Sequence, residues 1–175
     1  MRFLLPLLLV TLIKCFLQDS HPDLPVVTLD LPKMMGRWYN IAHKPIIFEK
    51  FCKCSRTIDT LVEPMKISLS ESCLILGRNI TSNSWALPEE KTSGKWINEM
   101  DIIGPFKVRG DYWIIDRDEN YEWMCVGQPS RKYFWIMSRH QQMEDSLYND
   151  LLSRAVEKGF DVSDVIREEN SACPA

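Results

Sequence analysis

The chain is poor in the residue patterns that serve cofactors. Its 175 residues include three histidines and seven glycines, with no HExxH pair and no Gly-rich phosphate loop. The close pair Cys52 and Cys54 has no second Cys or His pair to complete a zinc site. Metal and nucleotide cofactors are therefore not expected, and the cofactor expectation is none. Charge of one sign is also lacking: the net charge is −3, and the lysines and arginines are scattered and form no basic stripe. A phosphate backbone needs such a stripe, so nucleic acid is not an expected partner. Beyond Ile13 no apolar run approaches the roughly twenty residues of a membrane-spanning helix.

The N-terminus carries a leader. In MRFLLPLLLVTLIKCFLQDS, a basic Arg2 precedes an apolar run from Phe3 to Ile13, followed by polar residues. This is the layout of a secretory signal peptide over residues 1–20, too short to span a bilayer. Lys14 stands where a lipoprotein signal ahead of Cys15 needs a small residue, which argues against a lipid anchor. Residues 21–175 read as one soluble domain, secreted or held in the lumen of the secretory pathway.

Five cysteines remain beyond the leader: Cys52, Cys54, Cys73, Cys125 and Cys173. In an oxidising compartment most of them pair, and an odd number leaves one thiol over. The triplet NIT makes Asn79 an N-glycosylation candidate that has to face water.

Periodicity along the chain is that of strands. Eight short segments read as extended: RWYNIAH, KCSRTIDTLV, MKISLSESCLIL, KTSGKWIN, MDIIGPF, DYWIID, YEWMCVG and KYFWIMS. The connections, such as VEP, GPFKVRGD, DRDEN and GQPSRK, are short and rich in turn residues, which suits an antiparallel meander. One segment differs. Met143, Leu147, Tyr148, Leu151, Leu152, Ala155 and Val156 recur at helical spacing against a polar face, predicting a helix over about 143–158 capped at Gly159. Its polar face mixes both charges, so its apolar stripe is expected against the protein's own sheet.

Sequential antiparallel strands leave two open edges unless the first pairs with the last, so the expected fold is all-β: an eight-stranded antiparallel up-and-down β-barrel with the helix packed outside. A barrel of this size either fills itself or holds one small ligand.

Four stretches carry a family resemblance: GRWYNIA at the first strand, YWIID in the middle, FWIMSR before the helix and VEKGFDVSDVI at the helix's end. Together they resemble the lipocalin family, in the manner of bacterial lipocalins and apolipoprotein D, over roughly residues 26–173. The resemblance implies that Trp38, which follows Gly36 and Arg37, belongs to a closed barrel floor, with Arg139 across its ring. Such a cation–π contact is worth about 0.5–2 kcal/mol. The cysteine pattern is similar to that of plastid lipocalins, which implies that one of Cys52 and Cys54 bridges to Cys173 and the other to Cys73. Cys125 is then the free thiol. One departure from the family pattern is DRDENY after YWIID, which leaves the strand phase from Tyr112 to Cys125 open.

The resemblance implies an apolar ligand inside the barrel. Candidate ligand-binding residues are Trp135 and Met137, with Trp123 and Cys125 from the preceding strand and Asn40 and Ala42 from the first. Tyr112 and Ile114 join them subject to phase. The expected function is carriage of a fatty acid, lysophospholipid or similar lipid, with peripheral contact with membranes for ligand exchange. The rival readings are sequestration of a pigment, haem or siderophore, and a thiol-dependent lipid or carotenoid isomerase using Cys125. No catalytic residue is expected on the first two. His21, His43 and His140 all stand far from Cys125 in sequence, which disfavours the third.

Overall fold

The structure, a computed structural model, describes residues 23–46, 50–103 and 106–174. The expected leader therefore lies outside the described residues. A single helical turn, α1 (Leu31–Met34), leads into strands β1 (Gly36–His43), β2 (Lys53–Glu63), β3 (Lys66–Ile75) and β4 (Arg78–Pro88). There follow β5 (Lys95–Ile103), β6 (Phe106–Arg117), β7 (Trp123–Gly127), β8 (Phe134–Ser138), the helix α2 (Asp145–Glu157) and a two-residue strand β9 (Ile166–Arg167). Consecutive strands pair antiparallel from β1 to β8, and β8 returns to β1, so the first eight close a barrel. The expected fold class is the one found.

The strand count arises differently from the sequence reading. Segments KTSGKWIN and MDIIGPF, read as two strands, belong mainly to the single strand β5. Strand β4, RNITSNSWALP, was absent from that reading, and FKVRG, read as connection, is the first half of β6. One split and one omission cancel. Asn79 consequently lies in β4 and not in a loop, although its side chain is exposed.

Two apolar layers divide the chain's hydrophobic residues. Inside the barrel, Trp38, Ile67, Leu69, Ala86, Trp96, Ile114, Met124, Val126 and Met137 pack with Leu29, Leu31 and Met34 from the segment below. Outside, Ile41, Ile115, Trp123, Cys125, Phe134 and Ile136 meet Tyr148, Leu151 and Ala155 of α2. Strands β7 and β8 are apolar on both faces because one face lines the interior and the other carries the helix. Phe160 lies over Gly127, where a Cβ would sit 2.6 Å from its ring, so this close approach needs glycine. Lys158 Nζ, 3.2 Å from Asp116 Oδ2, pins the end of α2 to the barrel wall.

The tail closes a seam. Strands β1 and β2 pair only from Gly36 to Tyr39; above that level β9 takes β2's place beside Ala42 and His43. Glu168 N donates to Ile41 O, and Asn170 Nδ2 donates to Asn40 O. His43 Nε2 stands 3.1 Å from Glu168 Oε1 with both side chains buried. Disulfides join Cys54 to Cys173 and Cys52 to Cys73, which settles the two pairings left open by the sequence.

Candidate functional site

The floor is built from short-range chain geometry. Gly36 has φ +101°, a conformation that lets the chain turn from α1 into β1 and leaves Arg139 Nη1 just 3.4 Å from the position a Cβ would take. Trp38 then points inward and is fully buried, its Nε1 donating to Met34 O at 2.8 Å. The Arg139 guanidinium lies 3.5 Å from the centre of the Trp38 ring. It donates to the carbonyls of Arg37, Lys33 and Tyr121 at 2.7, 2.8 and 3.2 Å. Three segments that end at the floor are thus tied by one side chain, and Trp38 is part of the closure.

Above the floor the inner face carries an aromatic ladder. Trp96 stacks on Tyr112 with ring centres 6.1 Å apart, and Tyr112 meets Trp135 at 6.5 Å. The Tyr112 hydroxyl is 3.4 Å from Met137 Sδ. Register explains the alignment: Trp96 pairs with Tyr112, Ile114 with Val126, and Val126 with Trp135, and directly paired residues share a face. Trp135, Met137, Tyr112, Ile114 and Asn40 therefore stand on the inner side, with Tyr112 and Trp135 only partly buried toward the open end.

Three expected ligand-binding residues are elsewhere. Trp123 and Cys125 are on the outer face of β7, beneath α2, and the inner positions of that strand are Met124 and Val126. Ala42 also faces outward, paired with Ile136, because the register shifts between Asn40 and Ala42 and breaks the simple alternation. The isomerase reading loses its nucleophile with this correction. Burial above all, and then the Asp116 carboxylate, push the Cys125 thiol up, so it holds its proton, buried in the cluster beneath α2.

Sequence reasoning missed the polar inner residues of β2 and β4. Asp59 is buried level with Gly36, and Thr57 Oγ1 donates to its Oδ1 at 2.8 Å, while Oδ2 has no hydrogen-bond partner. Burial pushes its carboxyl up to about 7, against the opposing hydrogen bond from Thr57 and the charge of Arg139. Ser84 lies in the same row across the sheet, its hydroxyl also buried without a partner. The period-2 alternation of TIDT held the signal that Thr57 and Asp59 share a face. Among the described residues no group of three or more His, Cys, Asp or Glu side chains converges as metal ligands.

A closed antiparallel barrel with a plugged floor, an aromatic-lined inner face and one helix outside defines a class of cup-shaped small-ligand binders. Residues 29–170 match the family model described as a lipocalin-like domain. The chain is 34% identical over 152 residues to temperature-induced lipocalin-1 of Arabidopsis thaliana, spanning 83% of this chain and 82% of that protein. It is 27% identical over 146 residues to the outer membrane lipoprotein Blc of Escherichia coli (strain K12), spanning 81% and 79%. Among solved structures, insecticyanin of the tobacco hornworm Manduca sexta superposes with a TM-score of 0.70 at 20% identity over 86% of each chain, a likeness of fold. The chain belongs to the lipocalin family, whose members bind small hydrophobic ligands.

Proposed function

We propose that this protein is a secreted carrier that takes a fatty acid, lysophospholipid or similar single-chain lipid into the barrel. The observation that carries the reading is the inner-face ladder Trp96, Tyr112 and Trp135, whose upper two rings are partly uncovered while Trp96 beneath them is fully buried. Rings with an apolar body and a polar tip suit a partly wet cavity that takes up an alkyl chain. Affinity would come from apolar burial, at about 25 cal/mol per Å², less the cost of immobilising the ligand. Two disulfides suit export into an oxidising compartment.

The test is native mass spectrometry of the protein secreted from a eukaryotic host, followed by denaturing extraction of bound material. An added mass matching a fatty acid or lysophospholipid supports the reading. An empty barrel that also fails to take up a panel of single-chain lipids overturns it.

A further inference from the structure

The two walls of the mouth differ in height and in chemistry. Strands β7 and β8 have five residues each, whereas β4 and β6 have 11 and 12. Strands β4 and β5 pair only between Trp85↔Glu99 and Pro88↔Trp96, so above that level the sheet parts into two fingers, the β3–β4 hairpin backed by β2 on one side and the β5–β6 hairpin on the other. The largest exposed apolar side chains gather at this end. Leu76, in the β3–β4 turn, is 97% exposed, Phe106 at the start of β6 is 72% exposed, and Phe51, just ahead of β2, is 71% exposed. Lys53, two residues beyond Phe51, pairs with Leu74, which places that loop beside the β3–β4 finger.

The same tips are basic on an acidic chain. Segments 50–53, 74–80 and 101–109 contain Lys50, Lys53, Arg78, Lys107 and Arg109 against Asp101, with Glu99 just beneath. Glu99 is engaged by Lys107 and by Arg109, while Lys50, Lys53 and Arg78 are exposed. Apolar tips ringed by cations match the interface of an anionic bilayer: the apolar groups enter the headgroup boundary and the cations meet lipid phosphates and carboxylates. Among the described residues no helix is long and apolar enough to cross a membrane.

We propose that the mouth docks on anionic phospholipid bilayers through Leu76 and Arg78 of the β3–β4 hairpin, Phe106 at the start of β6, and residues 50–53 at the start of β2. On the carrier reading above, the gap between the fingers is then where a lipid chain passes between bilayer and barrel. Asn79 stands on the same tip, next to Arg78, so docking also requires that this face carry no bulky sugar in the working protein.

The experiment is co-sedimentation of the secreted full-length chain with vesicles of phosphatidylcholine alone and of phosphatidylcholine mixed with phosphatidylserine. Intact mass reports whether Asn79 carries sugar. Binding to the mixed vesicles is expected, weakened by salt, and about tenfold weaker in a Leu76→Ser/Phe106→Ser variant and in Arg78→Glu. In each variant the affinity for a soluble fluorescent fatty acid is expected to stay within about twofold, since none of these residues lines the ladder. Equal binding to both vesicle types, unchanged binding by the variants, or binding only after a sugar is removed from Asn79 overturns docking. So does a dimer in solution that the double variant converts to monomer, because the tips would then cover a second copy. Loss of fatty-acid binding by the unmodified chain, with vesicle binding intact, would sink the carrier reading and leave docking standing.

Discussion

Arg139 Cζ lies 3.5 Å from the centre of the Trp38 ring, and the same guanidinium donates to the carbonyls of residues 33, 37 and 121. One side chain thus joins α1, β1 and the β6–β7 turn to the end of β8. Arg139→Ala removes the ring contact and three charge-assisted hydrogen bonds, and is expected to cost about 3 kcal/mol of unfolding free energy. Arg139→Lys should recover less than half of that, because an ammonium lacks the planar fork that reaches three carbonyls. Urea titration of the two variants decides it; a lysine variant as stable as the parent would show that charge alone closes the floor.

Asp59 makes stability depend on pH in an uncommon direction. Its carboxyl is raised from 3.8 to about 7 by burial, so between those values the folded chain binds a proton that the unfolded chain has released. Stability contributed by this residue is therefore present below about pH 4 and is lost as pH rises through about 7. Asp59→Asn, which can still accept the Thr57 hydrogen bond, should match the parent near pH 4 and exceed it at pH 8. The difference is on the order of 4 kcal/mol at most. Denaturation at the two pH values tests the sign, and a gap that shrinks with rising pH would show that Asp59 is ionised in the folded protein.

The two disulfides close loops of very different length, 21 and 119 residues. In the chain-entropy model the longer stabilises by about 5 kcal/mol and the shorter by about 3.5 kcal/mol, through the unfolded ensemble. Replacing Cys54 and Cys173 with Ser should therefore cost about 1.5 kcal/mol more than replacing Cys52 and Cys73. The long bridge also holds the tail whose residues seal the seam between β1 and β2, so hydrogen exchange at the Glu168 amide, which donates to Ile41 O, should quicken only in the Cys54/Cys173 variant. Equal losses in both pairs would place the stabilisation in native contacts.

Cys125 offers a check on the division between the two apolar layers. Buried on the outer face with a raised pKa, it should react with a thiol reagent only at the rate of opening, not at that of a poised thiolate. Labelling in native buffer is expected to be negligible over hours and complete within minutes in denaturant. Saturating the chain with a fatty acid should slow labelling further, by stabilising the folded state as a whole. Rapid native labelling that ligand blocks directly would put the thiol back inside the barrel.

The sequence readily disclosed the parts of this molecule in which one period governs a whole element. Helix α2 shows one-sided spacing from Met143 to Val156, and its expected span of about 143–158 differs from Asp145–Glu157 only at the frayed ends. Strand β4 stayed hidden because its mouth half, RNITSN, is exposed throughout and shows no alternation to read. Strand β5 was divided because Glu99 interrupts its apolar pattern, and only the tertiary position of Lys107 and Arg109 explains a buried acid there. Face assignment failed for a different reason. In YEWMCVG both sets of alternate residues are apolar, so the pattern cannot say which set is inner, and the choice between Trp123 and Met124 depends on where the helix lies. The bulge between Asn40 and Ala42 is likewise set by pairing with β8 and has no local residue signature.

That same ambiguity yields the sharpest test of the site. Trp123 and Trp135 are both tryptophans on neighbouring strands, yet one packs under α2 and the other stands in the inner ladder. Trp135→Ala should weaken binding of a fluorescent fatty acid by about tenfold, the loss of part of one ring's contact area, with a change in stability of about 1 kcal/mol because the ring is only partly buried. Trp123→Ala should do the reverse: a loss of about 3 kcal/mol in stability from the cavity left against the Arg154 side of α2, with affinity in the folded fraction unchanged. Probe displacement and urea titration on both variants separate the two effects. If Trp123→Ala weakens the probe and Trp135→Ala does not, the ligand binds between helix and barrel and the inner ladder is only packing.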